Sequence, residues 1–472
     1  MTRFWSVFLA ALSLWLVAGA SGSARPRYGG TLKLALPGII RALDPADVPI
    51  SGDDAAAMRH VLPLVFETLT TVEPDGGIRP WLATSWAIDA QGRWRIRLRE
   101  GVRFHDGSAL DLTQALESLR ATHKEWQVSA AARTIVIDTG PQSADVPWAL
   151  ADLRSAIVMR RPSGELLGTG AFRLEQRTPG RLVLRAHEDY WGGRAFVDAI
   201  EIDESRAPST LLVDLELGRT DLAPVQPTER RRLSQRGIRT MASRPLQLFA
   251  LVFEMHRANA ADEAVRGALA ATLDRSAICR VLLQDYGEPA DSLLPRWLSG
   301  YAPFVLAGPA RAMTRDQVMK LPPARRTLTL RVDAADAVAR SIAERIAVDA
   351  RQAGFTIMVQ APTGLAPRPD LRLLRIRIAP SSPDRALSSV MDALGRRTVN
   401  YISGDQPPAP DAPLPEVHRK ERALLERGII VPVVHVPEVY GLGERLDSWN
   451  SSVVDGAGAW NLADIWLRTA TP

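Results

Sequence analysis

The sequence predicts a mixed α/β protein with at least two sheet-based lobes. Short segments of alternating hydrophobicity recur along the chain between longer segments with helical periodicity. Residues 326–360 have the pattern of a strand, a helix and a second strand, which is typical of a βαβ unit in a partly parallel sheet. The chain has 472 residues, enough for two or three domains whose cores need no disulfide bonds.

The first elements follow from this periodicity. In the segment YGGTLKLALPG, leucines alternate with Thr31, Lys33 and Ala35, which predicts a half-buried strand. A helical pattern begins near Asp53 and is interrupted by Pro63, which cannot donate a helical hydrogen bond.

Residues 81–101 predict a β-hairpin. The strands WLATSWAID and RWRIRLREG flank a short turn in which Gly92 can take a positive φ. In the second strand Trp94, Ile96 and Leu98 share one face and three arginines share the other. One side of this sheet is therefore expected to be solvated.

The segment FHDG, Phe104–Gly107, combines histidine and aspartate, the residue types of many metal and acid–base sites. Aspartate and glycine also form a turn pair, here before a helical pattern that Ser108 or Asp111 can cap. The histidines of the chain show no i, i+4 pair of the kind that zinc sites use. We interpret Phe104 as a core residue and His105 as a hydrogen-bonding residue that holds this corner.

The later segments continue the mixed pattern. GTGAFRLEQRTPGRLVLRA predicts two strands around a Pro-Gly turn, and PLQLFALVFEM predicts a further strand. Residues 261–287 predict one long helical region, whereas the proline-rich segments 306–326 and 404–416 predict loops.

The charge balance is mildly basic, with a formal net charge of +5 and both signs interspersed. The one dense basic run, Thr228–Arg239, contains no aromatic residue, so we interpret it as a solvated helix face rather than a nucleic-acid surface. Cys279 is the only cysteine, which excludes an internal disulfide. Its amphipathic helical surroundings predict a buried structural thiol.

The N-terminus has the pattern of a cleavable secretory signal peptide. Arg3 precedes an apolar run, Phe4–Ala20, and small residues follow it. The alternative is an uncleaved anchor helix, for which the run is barely long enough. We expect cleavage after Ala20 or Ala24, and no cysteine lies near this zone to carry a lipid anchor.

The sequence contains no motif that is specific for catalysis. It has no nucleophile elbow and no phosphate-binding loop, and GTGAF leads into a strand where a dinucleotide fingerprint needs a helix. Two aromatic clusters, WLATSW and DYWGG, leave two readings open. They fill a core and anchor loops, or they line a ligand cleft with amphipathic rings.

Four ordered segments resemble one known family. They are YGGTLKLALPGIIRALDPA, the stretch from VFETL through FHDG to ALESL, the stretch from GTGAF through DYWGG to DAIEI, and DEAVRGALAATLDRSAI. The chain thereby resembles the extracytoplasmic solute-binding proteins of peptide-type ABC importers, family 5, which include oligopeptide-, dipeptide- and nickel-binding proteins. The residues that carry this signature, expected to be structural, are Phe104, His105, Asp106, Gly107, Gly168, Gly170, Tyr190, Trp191, Asp274 and Arg275.

The resemblance implies an α/β periplasmic-binding-protein clamshell, type II-like, with two lobes and an extra N-terminal subdomain. The chain is expected to cross between lobes near Pro245–Phe253 and to return near Val431–Pro437. The implied divisions are a signal peptide at 1–24, lobe I at 25–45, 165–244 and 437–472, an inserted subdomain at 46–164 and lobe II at 245–436.

The resemblance also implies a function. The protein would be the periplasmic substrate-binding component of an ABC importer, capturing a small peptide-like solute between its lobes and delivering it to a permease in the inner membrane. A protein of this kind has no catalytic residues, no cofactor and no nucleic-acid partner, and it acts as a monomer. We expect no metal site.

One departure from the family pattern concerns the ligand. Peptide binders of the family commonly pair an aspartate with the amino terminus of the ligand, and Pro380 stands near that place here. Asp384 is then the candidate ligand residue, together with Asn400, Tyr401 and Glu254.

This departure leaves alternatives open. The ligand is a non-peptide solute such as a metal chelate, or the protein is a degenerate receptor that acts as a sensor or scaffold for a membrane partner. A secreted hydrolase on the same scaffold is a further alternative.

Overall fold

The structure of the protein, a computed structural model, describes residues 27–49, 52–73, 77–140, 145–257, 262–300, 312–362, 367–378, 382–395, 398–399, 407–409, 412–446, 449 and 453–468. The predicted signal peptide lies outside the described residues, as do the predicted ligand residues Asn400 and Tyr401.

The described helices are α1 (Asp53–Val65), α2 (Leu112–Thr122), α3 (Val146–Ala149), α4 (Pro208–Glu216), α5 (Arg230–Gln235), α6 (Glu263–Ala271), α7 (Arg275–Ala277), α8 (Arg315–Met319), α9 (Pro323–Arg326), α10 (Ala337–Gln352), α11 (Pro383–Leu394) and α12 (Leu414–Glu426). Shorter 3₁₀ turns cover Pro45–Asp47, Leu153–Ser155 and Pro227–Glu229, and a π-helical turn covers Ile278–Leu282.

The described strands are β1 (Thr31–Ala35), β2 (Thr70–Val72), β3 (Ile78–Pro80), β4 (Ala83–Ile88), β5 (Trp94–Leu98), β6 (Gln127–Ala131), β7 (Thr134–Asp138), β8 (Met159–Arg160), β9 (Leu166–Leu167), β10 (Phe172–Thr178), β11 (Arg181–Ala186), β12 (Ala199–Asp203), β13 (Leu222–Val225), β14 (Arg239–Phe253), β15 (Glu288–Pro289), β16 (Thr327–Arg331), β17 (Thr356–Gln360), β18 (Leu371–Arg377) and β19 (Ile430–Leu442).

One large mixed sheet connects most of the described strands. Its order is β10-β11-β12-β1-β13-β19-β14-β18-β16-β17, with β15 paired to β19. β1 lies inside the sheet, parallel to β12 and β13. Leu32 and Leu34 are fully buried and Lys33 is exposed, which confirms the predicted alternation over these residues. Ala35, expected on the face of Lys33, is fully buried in a second apolar core with residues of α4.

Two long antiparallel strands, β14 and β19, join the two ends of this sheet. Pro245 of β14 lies opposite Pro437 of β19, and the register shifts on both sides of this pair. Proline has no N–H to donate, so the hydrogen-bond ladder is weakest there and the strands can bend. The predicted divisions at 244/245 and 436/437 fall at this point and stay predictions.

We call the end of the sheet formed by β10, β11, β12, β1 and β13 lobe I. Its apolar core includes residues of α1, such as Met58 and Val61, and the C-terminal segment 453–467. Trp460 and Tyr440 are among the largest buried side chains of this core. The last segment of the chain is therefore packed into the same lobe as the first strand.

We call the other end, formed by β14, β18, β16 and β17, lobe II. Odd-numbered residues 249–253 of β14 face one apolar core and even-numbered residues 246–252 face another, so the sheet is buried on both faces. α10 connects the parallel strands β16 and β17, which confirms the predicted βαβ unit. Gly354, at φ 90°, turns the chain from α10 into β17.

A separate four-stranded antiparallel sheet, β4-β5-β7-β6, packs against α2 and forms the subdomain. The predicted hairpin is confirmed, with Gly92 at φ 76° between β4 and β5. Asp111 caps α2 through a capping box with Gln114. The core of this sheet is built from residues between Leu69 and Leu167, whereas α1 packs into lobe I.

The prediction of one continuous helical region over 261–287 is wrong. α6 ends at Ala271, and the carboxylate of Asp274 accepts a hydrogen bond from the Ala277 N–H to begin α7. An N-cap residue inside the helical pattern thus interrupts it. Cys279, in the π-helical turn, is buried, and burial raises the pKa of its thiol to about 11, as expected for a structural thiol.

Among the residues that the structure describes, no helix is both long enough and apolar enough to span a bilayer.

Candidate functional site

A cavity of about 760 Å³ lies between lobe I and lobe II. Lobe II contributes residues 374–377 of β18 and residues of α11 to its wall. α1, the subdomain and the C-terminal segment contribute the opposite side. The apolar and aromatic part of the wall includes Pro63, Leu64, Phe66, Trp81, Phe172, Tyr190, Trp460 and Leu462. A concave site of this size and lining is typical of small-molecule binding.

Glu67 is a buried carboxylate in the cavity wall, and it is surrounded by hydrogen-bond donors. It accepts hydrogen bonds from Trp81 Nε1 at 2.8 Å, Thr169 Oγ1 at 2.7 Å, Tyr190 OH at 2.8 Å and Trp191 Nε1 at 3.0 Å. Burial raises the pKa of Glu67, and the four donors oppose that shift.

This cluster decides between the two readings of the aromatic residues. Trp81 and Tyr190 both line the cavity and donate to the same buried carboxylate. Trp86, by contrast, packs against the core of the subdomain. The two clusters of the sequence therefore meet at Glu67, where they anchor loops and line the cleft together.

A second buried group joins lobe II to lobe I. Arg377 of β18 donates to the carboxylate of Glu438 and, at 2.9 Å, to the Ala457 carbonyl of the C-terminal segment. Tyr440 OH donates to the other Glu438 oxygen at 2.9 Å. Burial is the largest single influence on Glu438 and would raise its pKa. The positive charges of Arg377 and Arg59 and the other neighbouring groups, including the Tyr440 hydroxyl, together outweigh burial and lower that pKa to about 2. Glu438 is therefore ionised and paired.

His60 lies on α1 beside this pair. Its Nε2 is 3.8 Å from a Glu438 oxygen, and its ring stacks on Trp460 with the centroids 4.2 Å apart. Burial lowers the pKa of His60 to about 4, so the ring is neutral at pH 7.

Asp455 is a third carboxylate in the cavity wall. One oxygen accepts hydrogen bonds from the backbone N–H groups of Ala457 and Ala459, both at 2.8 Å. Burial nevertheless raises the pKa of Asp455 to about 7. This side chain shapes the loop that carries Trp460 and is partly protonated near neutral pH.

Arg59 is the cation of α1 that faces the cavity. Its Nε is buried and has no hydrogen-bond partner, and the guanidinium forms no ion pair within 4.0 Å among the described residues. Burial lowers the pKa of Arg59 to about 10, so the side chain remains charged at neutral pH.

The FHDG segment lies at a corner between the subdomain and lobe I. Phe104 is fully buried in the subdomain core. His105 Nε2 is 3.1 Å from the Gly170 carbonyl, and its backbone N–H donates to the Gly168 carbonyl at 3.1 Å. Asp106 accepts hydrogen bonds from Ser108 and from Arg161.

The geometry of this corner explains its glycines. Gly107 turns the chain at φ 86°. A Cβ on Gly168 or Gly170 would lie 1.9 or 2.4 Å from backbone carbonyl oxygens at the end of α1, so only glycine fits at either position. None of the FHDG residues lines the cavity.

The other predicted ligand residues that the structure describes do not line the cavity either. Glu254 pairs with Arg372 on the surface of lobe II, and Asp384 is buried in the first turn of α11. Their assignment as ligand contacts stays a prediction. Asp274 caps α7, and Arg275 donates to the Pro432 carbonyl at 2.9 Å, so both hold lobe II together.

The cavity residues that sequence reasoning missed are Glu67, Arg59, Arg377 and Asp455, together with Glu438, the partner of Arg377. Two signals pointed to some of them. Arg59 and His60 are the basic residues of an otherwise apolar helical segment, and β18 carries arginines at alternate positions of a strand with a buried face. Within the described residues, no group of three or more His, Cys, Asp or Glu side chains is placed to hold a metal ion.

Sequence comparison identifies the family. Residues 77–388, about two thirds of the chain, match the family described as bacterial extracellular solute-binding proteins, family 5 (middle). The chain is 25% identical to the nickel-binding periplasmic protein of Escherichia coli (strain K12) over 350 residues, which cover 62% of this chain and 65% of that protein.

Two other curated relatives match over shorter segments. The uncharacterized protein YhjP of Bacillus subtilis (strain 168) is 29% identical over 35% of this chain and 30% of YhjP. The HTH-type transcriptional regulator SgrR of Pectobacterium atrosepticum is 31% identical over 30% of this chain and 28% of the regulator. The chain thus spans less than a third of the length of these two relatives.

Solved structures show the same two-lobed fold at low sequence identity. The ABC transporter substrate-binding protein CtaP of Listeria monocytogenes superposes with a TM-score of 0.76 at 17% identity, covering 93% of this chain and 100% of CtaP. NikA from Brucella suis in complex with Fe(III)-EDTA superposes with a TM-score of 0.72 at 18% identity, covering 93% of this chain and 100% of NikA. AppA from Bacillus subtilis in complex with a nonapeptide superposes with a TM-score of 0.69 at 15% identity, covering 94% of this chain and 100% of AppA. The chain therefore belongs to the bacterial extracellular solute-binding proteins, family 5.

Proposed function

We propose that this protein is the periplasmic substrate-binding component of an ABC importer. It captures a small peptide-like solute in the cavity between lobes I and II and delivers it to a permease in the inner membrane. The observation that carries the proposal is the cavity of about 760 Å³, whose wall is shared by both lobes. A solute that contacts both walls stabilises the closed arrangement over an open one, which is the signal a permease can recognise.

The bend required for opening has a place in the fold. β14 and β19 are the strands that link the lobes, and their ladder is irregular at the opposed residues Pro245 and Pro437. Rotation there separates β18 from α1 without breaking either apolar core of lobe II. No bond of the solute is made or broken in this cycle, so binding and release are the whole activity of the protein.

A metal chelate is the second candidate solute. Among the structural relatives, NikA from Brucella suis is in complex with Fe(III)-EDTA, and NikZ from Campylobacter jejuni is in complex with Ni(L-His). A chelate supplies its own metal donors, so it needs no cluster of protein ligands. A role as a sensor or scaffold is less well supported, because the side chains that the structure describes do not fill the cavity.

The experiment compares wild-type protein with Ala393→Trp in thermal denaturation. Ala393 lies on the exposed face of α11 at the cavity, so the indole is expected to occupy the solute volume. Pools of randomised tripeptides and the nickel–histidine complex serve as probes. A bound probe raises the midpoint of the wild type by mass action, and Ala393→Trp abolishes that rise.

Ala271→Trp is the matched control, because Ala271 is exposed at the end of α6 and does not line the cavity. It should respond to the probes as the wild type does. Equal responses of Ala393→Trp and wild type would place binding outside this cavity. No response of the wild type to either probe would count against both candidate solutes.

A further inference from the structure

We propose that the cavity selects its solute through a carboxylate that binds the guanidinium of Arg59. This inference rests on the proposed function and names the chemical class of the solute. In this proposal a basic residue of the protein binds an acidic group of the solute. In the family pattern described above, an acidic residue pairs with the amino terminus of a peptide.

The first argument is the position of Arg59. It lies on α1 in the wall of the cavity, beside the buried pair formed by Arg377 and Glu438. Glu438 attracts it electrostatically, but Arg377 already holds that carboxylate, and Arg377 also repels Arg59. A partly buried guanidinium whose Nε is buried without a partner destabilises the empty protein, and an incoming anion removes that cost.

The second argument is that Arg59 differs from the other cavity arginines. Five arginines line the cavity, and four of them have partners among the described residues. The partners are Glu73 for Arg79, the Val48 carbonyl for Arg154, Asp336 for Arg375 and Glu438 for Arg377. Arg154 is bonded to a neutral carbonyl, but its side chain is exposed and solvated. Among the described residues, Arg59 is therefore the partly buried cavity arginine that has neither a hydrogen bond nor an ion pair.

The third argument is that the acidic residues of the cavity are poorly placed to receive an amino group. Glu67 already accepts hydrogen bonds from four side chains. Oδ1 of Asp455 already accepts hydrogen bonds from two backbone N–H groups. Asp152 accepts the N–H of Arg154 at a turn, and Asp392 is exposed on α11. The described residues thus offer an unpaired cation and no equally buried, unengaged carboxylate.

The shape of the guanidinium favours a carboxylate. Its planar fork matches the two oxygens of that group, and the bond is strengthened where water is excluded. The same cavity wall also presents large apolar and aromatic side chains, among them Phe66, Phe172 and Trp460. The solute is therefore a carboxylate with an apolar body, such as a peptide read from its carboxyl end.

The test uses one randomised tripeptide pool in three forms: unmodified, N-acetylated and C-amidated. Dissociation constants are measured by titration calorimetry with wild type, Arg59→Met and Arg59→Lys. We expect the unmodified and N-acetylated pools to bind alike and the amidated pool to bind at least about tenfold more weakly, since a hydrogen bond to a charged group contributes about that factor. Arg59→Met removes this difference, and Arg59→Lys keeps part of it.

A non-peptide pair, phenylsuccinate and its dimethyl ester, separates this inference from the proposed function. Binding of phenylsuccinate that depends on Arg59, with no binding of any tripeptide form, would contradict the peptide-like solute and support the carboxylate. Binding of the amidated pool with loss of the N-acetylated pool would contradict the inference and leave a peptide receptor standing. No binding of any free carboxylate would overturn the inference.

A structural role of Arg59 is tested by the stability of the empty protein. Because Arg59 forms no hydrogen bond or ion pair with the described residues, Arg59→Met should not lower the thermal midpoint in the absence of solute. A marked fall would show that Arg59 supports the fold and would contradict the inference. Arg232→Met is the control, since Arg232 is an exposed arginine paired with Glu216 away from the cavity, and it should leave the preference for free carboxylates unchanged.

Discussion

Glu67 and Arg59 are charged side chains at the same cavity and in the same stretch of sequence, yet their surroundings are opposite. Glu67 accepts hydrogen bonds from four side chains, drawn from three separate segments. Arg59 has no hydrogen bond or ion pair to any residue that the structure describes. A buried carboxylate with all its donors supports the fold that holds it, whereas a partly buried cation without partners is expected to gain them from a ligand. The difference separates the scaffold of the cavity from its recognition site.

The largest expected effect is that of Glu67→Ala. It leaves the indole N–H groups of Trp81 and Trp191 and the Tyr190 hydroxyl without their acceptor in a buried site. We expect the free energy of unfolding to fall by about 3–5 kcal/mol, the usual cost of removing one partner of a buried charged network. Urea denaturation measures it. Glu100→Ala, at an exposed site, is the control, and an equally small effect of both changes would refute the scaffold role of Glu67.

A smaller, pH-dependent effect is expected of Asp455→Asn. The pKa of Asp455 is about 7 in the folded protein, above its value in the unfolded chain. The contribution of Asp455 to the free energy of unfolding is therefore most favourable at low pH and is lost as pH rises through about 7. Asparagine keeps the oxygen that accepts the two backbone hydrogen bonds and removes the charge. Between pH 4 and pH 8, the free energy of unfolding of the variant should therefore rise by about 2 kcal/mol relative to that of the wild type. This figure follows from about 1.4 kcal/mol for each unit of pKa difference, reduced for screening by solvent.

At each pH the variant is compared with the wild type, because buried histidines also make stability depend on pH. Histidines with lowered pKa values raise the stability of both proteins as pH rises, which is opposite to the effect of Asp455. Three such histidines are His60, His105 and His435, whose pKa values burial lowers to about 4. Urea denaturation at pH 4, 6 and 8 gives the difference. A constant difference across this range would show that folding does not raise the pKa of Asp455, and would contradict the prediction.

The smallest effect is expected of His105→Ala. The change removes one hydrogen bond to the Gly170 carbonyl at a corner outside the cavity wall, and His187 Nδ1 remains 3.2 Å from the same carbonyl. We expect the free energy of unfolding to fall by about 1 kcal/mol, the usual net contribution of one hydrogen bond. Solute affinity should stay within about twofold, which corresponds to roughly 0.4 kcal/mol. A variant of unchanged stability that loses solute binding would reverse this assignment.

The fold was largely predictable because its elements are local patterns. The alternation around Leu32 and Leu34, the hairpin at Gly92 and the βαβ unit at 327–360 are each encoded within short segments. The broken helix near Asp274 was missed, because a capping aspartate is compatible with helical periodicity until its side chain is seen to accept a backbone N–H.

The site was much less predictable, because its charges come from distant parts of the chain. Arg377, Glu438 and the Ala457 carbonyl meet only through the pairing of β18, β14 and β19 and the return of the C-terminal segment. Periodicity shows that an arginine lies on a strand, but it does not show whether a carboxylate faces it. The distinction between paired Arg377 and unpaired Arg59 therefore required the tertiary structure.

The most direct test of the central claim is a crystal structure of the protein with an N-acetylated tripeptide at saturating concentration. Solute density should lie between lobes I and II, with the terminal carboxylate about 2.7–2.9 Å from the guanidinium nitrogens of Arg59, as in other charge-assisted pairs. A tripeptide bound with its carboxylate away from Arg59, or an empty cavity at that concentration, would contradict it.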